Sequence, residues 1–339
     1  MDSLTQIVLG AACGEVALGK KIGNKALLFG AIGGTIPDLD VFVGRWINDN
    51  EISIMAFHRG FMHSILFSII GAFVFGWLVY WLYNTGNRTG STTRKDWIWL
   101  FFLSLFTHPI LDSFTPYGTQ LFSPFSNYRV ALNNISVADP AYTVPFLLCL
   151  IVLMFYKRYK PRRRFWLRLG LIISCSYLLF TMINKVYINY IYKKSLEQND
   201  LVYTRFQTQP TILNNVLWYG IAESEKSYHV GFYSLLDKSN QVKIWNEIPK
   251  NHNLIPADNA DIKTLAWFSN NYYNFVPQEE GVFRYNDLRY PSFDEDDPSN
   301  AVFSFTIKKE GDRWVALPFF GKPPSSENLS YFWNRIKGN

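Results

Sequence analysis

The sequence predicts an all-α, multi-pass membrane domain with a helical metal site, followed by a small α+β domain outside the membrane. Three observations lead there. Ser64 to Tyr83 is a run of twenty residues without a charge, the length a helix needs to cross a hydrocarbon core about 30 Å thick. Residues 1–200 carry 19 Lys+Arg against 11 Asp+Glu, whereas residues 201–339 carry 14 against 16, so the basic character belongs to the apolar part alone. From Leu201 onward the long apolar runs give way to short alternating ones, the pattern of half-buried strands. The expected domains are therefore residues 1–192 and 193–339.

Taken in order, Leu4 to Gly19 and Ala26 to Ile36 are short apolar segments rich in Gly and Ala. The pairs Gly10/Gly14, Gly19/Gly23 and Gly30/Gly34 have the small-xxx-small spacing that lets two helices approach closely, which predicts a tight helical hairpin. Ser64 to Tyr83 is the clearest span. Trp97 to Phe114, Ala141 to Tyr156 and Phe165 to Ile191 complete six, the last with Arg168 and Lys185 near its ends. Short loops rich in Lys and Arg stay cytoplasmic. Lys157, Arg158, Lys160, Arg162, Arg163 and Arg164 mark one such loop, Arg88, Arg94 and Lys95 a second, Lys20, Lys21 and Lys25 a third. With six crossings these alternate correctly, placing the N-terminus and everything after about residue 192 outside. Asp2 stands where a cleavable signal would carry Lys or Arg, so none is expected. The basic tract lacks any recognisable nucleic-acid module, and no nucleic-acid partner is expected.

In the second part, Ala301 to Ile307 and Arg313 to Pro318 read as a hairpin turned by Lys308 to Asp312 with Gly311 in the loop. Asp261 to Tyr273 and Glu327 to Ile336 are expected helices. His229 and His252 are expected to be structural, and Cys13, Cys149 and Cys175, each inside an apolar run, to be buried small hydrophobes.

Ionisable residues recur where a membrane segment should have none. They are Asp38 and Asp40 after the hairpin, His58 and His63 before the long span, His108 and Asp112 within a span, and Asp139 before another. Such groups are costly at membrane depth unless paired or metal-bound, so they mark function. His108 and Asp112 are four apart, hence on one helix face. Imidazole and carboxylate together suit Zn2+ or another borderline divalent ion better than calcium. Rises of about 1.5 Å per residue put His108 roughly 20 Å from Lys95 and Asp38 roughly 20 Å from Lys25. All these candidates thus fall on the outer side of a topology assigned from Lys and Arg alone.

The opening MDSLTQIVLGAACGEVALGKKIGNKALLFGAIGGTIPDLD, then HRGFMHS, THPILDSFTPYGTQLFSPFS and VADP, resemble in order the bacterial membrane-bound metal-dependent hydrolases of the YdjM type. The resemblance covers about residues 1–190. That family is regarded as distantly similar to zinc-dependent phospholipase C and the zinc single-strand nucleases. The resemblance implies an inner-membrane location and metal ligands among Asp38 or Asp40, His58, His63, His108 and Asp112, for one or two ions. It departs at Gln6, where family members often have His, and Gln is a poor zinc ligand. The chemistry this points to is hydrolysis of a phosphoester, in a lipid or lipid-linked substrate, by metal-activated water. Arg59 and Arg129 are candidate phosphate clamps, and Asp139 or Glu15 a candidate base or support for a ligand histidine. A metal transporter, which would place its site between internal repeats, and a membrane-anchored metal-binding scaffold are the rival classes.

Overall fold

The computed structural model describes residues 1–256, 258–292, 301–310, 313–319 and 325–338. They form two compact units, one of residues 1–46, 57–183 and 212–214, the other of 47–56, 184–211 and 215–339. The boundary expected after residue 192 and the observed division after Ile183 both fall inside one helix, nine residues apart.

The first unit is helical. Helix α1 (Ser3–Ile22) is capped by Asp2, whose side chain accepts from Thr5 N, and ends at Gly23, where φ is +61°. Helix α2 (Asn24–Thr35) lies back along it. A Cβ on Gly10 would stand 2.4 Å from the Gly30 carbonyl oxygen, one on Gly14 2.0 Å from that of Ala26, and one on Gly34 2.5 Å from that of Gln6. The two backbones touch, which only glycine permits. Of the three expected glycine pairs, Gly10/Gly14 and Gly30/Gly34 make this contact. Gly19 faces the Glu15 side chain and Gly23 makes the turn.

A 3-10 turn (Ile36–Leu39) leads from α2 into α3 (Asp40–Ile47), and α4 (Glu51–Phe57), which belongs to the second unit up to Ala56, follows. Helix α5 (Ile65–Tyr83) buries Ser68, Gly71, Ala72 and Gly76, with Tyr83 at its end, and packs against α6 (Arg94–Ser113). On its other side Phe73, Val74, Trp77, Trp81 and Leu82 are more than half exposed. An apolar surface of this extent suits lipid and not water. Inside α6, Pro109 cannot donate to the Leu105 carbonyl, and Ser68 Oγ from α5 donates to that oxygen at 3.1 Å. Helices α7 (Pro140–Met154) and α8 (Pro161–Gln198) complete the unit, α8 running on into the second. Among the described residues three segments are long and apolar enough to cross a membrane: Asn24–Ile47, Ile65–Tyr83 and Pro161–Gln198. Cys13 and Cys149 are buried as expected, while Cys175 is exposed on the outward face of α8.

The second unit holds two four-stranded antiparallel meanders. Strands β1 (Arg205–Pro210), β2 (Leu217–Glu223), β3 (Ser227–Ser234) and β4 (Asn246–Pro249) form one, in chain order. After α9 (Ala260–Phe268), strands β5 (Tyr273–Glu279), β6 (Val282–Asp287), β7 (Ser304–Glu310) and β8 (Arg313–Phe319) form the other, and α10 (Ser326–Ile336) closes the chain. The expected hairpin is the β7–β8 pair; Gly311 and Asp312 lie outside the described residues. His229 lies in β3 opposite Ala222. His252 stacks on Tyr273 at 4.0 Å, and its Nε2 donates to the Tyr273 carbonyl. Burial holds the His252 imidazole below its ordinary pKa, as a neutral structural donor requires.

Candidate metal centre

Four side chains from three stretches of the first unit converge on one point. His108 and Asp112 project one turn apart from α6, Asp38 comes from the 3-10 turn after α2, and His63 from a 3-10 turn (Phe61–His63) before α5. A ligand atom of each lies within 4.8 Å of every other. His63 Nε2 and His108 Nε2 are 3.1 Å apart. Asp38 Oδ1 is 3.4 Å from His63 Nε2 and 3.5 Å from His108 Nε2; Asp112 Oδ2 is 3.5 Å from each. A tetrahedral ion with ligands at about 2.0–2.1 Å has ligand–ligand edges of about 3.3–3.4 Å. Five of the six edges are thus near the right length for one ion.

The surrounding hydrogen bonds support that fit. His108 Nδ1 lies 2.6 Å from the Gly34 carbonyl, so Nδ1 carries the proton and the Nε2 lone pair points at the centre. His63 Nδ1 lies 3.0 Å from Asp40 Oδ2, on the side of the ring away from the centre. The two Nε2 atoms, 3.1 Å apart beside two carboxylates, need a proton or a metal cation between them. Asp112 Oδ2, fully buried, receives no hydrogen bond, and Arg59 Nε is 3.3 Å away as an ion pair. The other oxygen, Oδ1, is held by Gln6 Nε2 at 2.9 Å and by the Met1 amino nitrogen. The donor set therefore fits a divalent ion. Of the four ligands only Asp38 reaches solvent, at 22% exposure.

The remaining candidates take other places. Asp40 faces the centre with neither oxygen: Oδ1 accepts from His58 Nδ1 at 2.7 Å, and Oδ2 lies at His63 Nδ1 and accepts from the Arg59 backbone N at 2.9 Å. It orients one ligand histidine and pins His58. Burial holds the His58 imidazole below its ordinary pKa against the pull of Asp40. Arg59 adopts φ +59°, a left-handed conformation fixed by Asp40 on its N–H and by Gln120 N on its carbonyl at 3.0 Å. This turn sends the buried guanidinium to Asp112 and to Thr115 Oγ1 at 3.1 Å. Arg59 and Arg129 lie 4.6 and 5.0 Å from the Tyr117 ring, and Arg129 also donates to the Gly118 carbonyl at 2.9 Å.

Two candidates are not at the centre. Glu15, nine residues along α1 from Gln6 and hence about 14 Å farther, takes two hydrogen bonds from Arg163 at 2.6 and 2.7 Å. Asp139 caps α7 through Ala141 N and accepts from Tyr177 OH at 2.9 Å. The Gly34 carbonyl, Thr115 and Tyr117 also bear on this centre, although no spacing in the sequence singles them out. The last two sit in the FTPYGTQ stretch beside Asp112, so their proximity was the available signal.

Apolar helices with exposed large side chains, arranged around a buried two-histidine, two-aspartate cluster, define a membrane protein with a potential metal site. The pattern of the YdjM inner membrane protein family matches residues 1–188, and the chain belongs to that family. It is also 31% identical over 147 residues to the uncharacterized protein YfhP of Bacillus subtilis (strain 168). That similarity covers 41% of this chain and 42% of the relative. No solved structure matches.

Proposed function

We propose that this protein is a membrane-embedded metal-dependent hydrolase of phosphoester bonds in a lipid or lipid-linked substrate. The observation that carries the reading is the convergence of Asp38, His63, His108 and Asp112 on one point with Arg59 beside it. A divalent ion there, Zn2+ by its ligand chemistry, would polarise a phosphoryl oxygen and bring the pKa of a water to about 7. His63, His108 and Asp112, fully buried, keep the rigid side of the site. Asp38 is the gate: four protein ligands make the closed shell of structural zinc, and catalysis needs an open position, which only the partly exposed Asp38 can yield. Arg59, already committed to Asp112 and Thr115, presents its guanidinium to an incoming phosphate oxygen. Exposed Phe42 and Trp46 on α3 and exposed Phe122, Phe125 and Tyr128 on the loop after α6 favour a substrate that arrives with acyl chains. In this reading the chain crosses the membrane six times, with the centre and the C-terminal domain outside the cytoplasm.

The test is turnover by purified, zinc-loaded protein on a panel of phospholipids, lipid pyrophosphates and nucleotides, before and after chelation. Activity on a lipid phosphoester, lost with chelator and restored by zinc or manganese, supports the proposal. No turnover, with zinc moving into protein-containing liposomes, replaces it with transport.

A further inference from the structure

A second polar feature lies at the other end of α1, about 24 Å along the helix from Gln6. The turn between α1 and α2 and the turn between α7 and α8 are tied together there: Asn24 Nδ2 donates to the Met154 carbonyl at 3.0 Å, and Arg158 donates to the Lys21 carbonyl. Between them opens a cavity of about 510 Å3 whose lining includes Lys25, Lys157 and Arg158 and no carboxylate. This size falls in the range of about 300–1,000 Å3 typical of small-ligand sites.

Two of the neighbouring cations are already engaged. Lys21 pairs with Asp96 at 2.6 Å, and Arg163 is saturated by Glu15, Asn24 and the Tyr156 carbonyl. Arg163 lies in the lining too, but its guanidinium is taken; Lys25, Lys157 and Arg158, the other cations of the lining, have no carboxylate partner among the described residues. The first turn of α2 opens there too. Its N-cap is Gly23, which has no side chain to cap it, and the Asn24 side chain is spent on Arg163 and Met154. Free N–H groups at a helix N-terminus add to the attraction for an anion. Met154, Phe155 and Tyr159 are exposed beside the basic residues, marking the level where apolar helix meets headgroups.

We propose that this cavity binds a phosphate group, carried by an anionic lipid headgroup or free in solution. The site is separate from the metal centre and does not depend on its chemistry.

The test is thermal unfolding of the purified full chain in detergent, titrated with short-chain phosphatidylglycerol, with phosphatidylcholine, or with inorganic phosphate. Lys25→Gln with Lys157→Gln removes two charges from the cavity; Arg162→Gln with Arg164→Gln removes two exposed charges beside it. The proposal expects the first pair to weaken stabilisation by the anion about tenfold or more, and the second pair by less than about twofold. Stabilisation by phosphatidylglycerol alone assigns the headgroup; equal, variant-sensitive stabilisation by inorganic phosphate assigns the free ion. Equal weakening in both pairs would reduce the feature to diffuse surface charge, and no anion-dependent stabilisation would remove it.

Discussion

Asp38 and Asp40 stand two residues apart in PDLD, yet Asp38 offers Oδ1 to the Nε2 atoms of both histidines while Asp40 holds the Nδ1 side of His63. Replacing Asp40 with Asn should therefore leave a metal-binding protein whose affinity is about 10–100-fold weaker, the usual effect of losing a carboxylate that orients a ligand histidine. A competition titration against a chromophoric chelator reads this directly. The His108–Asp112 pair was legible in the sequence because α-helical spacing alone puts both on one face. The division of labour between Asp38 and Asp40, and between His58 and His63, was not, because it is set by two 3-10 turns and the left-handed Arg59, whose directions no periodicity reports. Glu15 illustrates the opposite hazard. A buried acid in an apolar helix looks catalytic, but its partner Arg163 is 148 residues away. Glu15→Ala should cost about 3–5 kcal/mol of stability, as expected when a buried pair loses one member, and leave the bound metal per folded protein unchanged.

Helices α1 and α2 act as one element, since their glycines allow backbone contact and the Gly34 carbonyl at its end fixes His108. Gly30→Val would place a Cβ 2.2 Å from the Gly10 carbonyl oxygen, so the hairpin must open and the His108 anchor with it. The expected outcome is a lower unfolding temperature together with weaker metal binding, measured on the same preparation. Residues with chemistry in one motif thus depend on small residues in another. The glycine spacing announced this contact in the sequence, and the apolar runs Ala26 to Ile36 and Ala141 to Tyr156 announced α2 and α7, whereas the 3-10 turn and the short helix α3 that follow α2 did not follow from hydropathy. The meanders were legible as alternating runs, but not their grouping into two sheets of four, which long-range packing decides.

For the whole molecule, the charge asymmetry between the two parts of the chain predicts orientation as well as location. A reporter fused after residue 200 should respond as extracytoplasmic and one inserted near Arg163 as cytoplasmic; the same side for both would contradict six crossings. The proposed lipid rim, Arg59 clamp and Asp38 gate have meaning only around an ion, so the proposed function stands on the metal centre. The most direct measurement is the divalent metal content of the purified protein, determined by elemental analysis alongside His63→Ala, His108→Ala, His229→Ala and His252→Ala variants of equal fold quality. Near-stoichiometric metal is expected in the wild type and in the two variants of the C-terminal domain, and its loss from His63→Ala and His108→Ala. Metal-free wild type, or the same metal content in all five proteins, would contradict the metal centre.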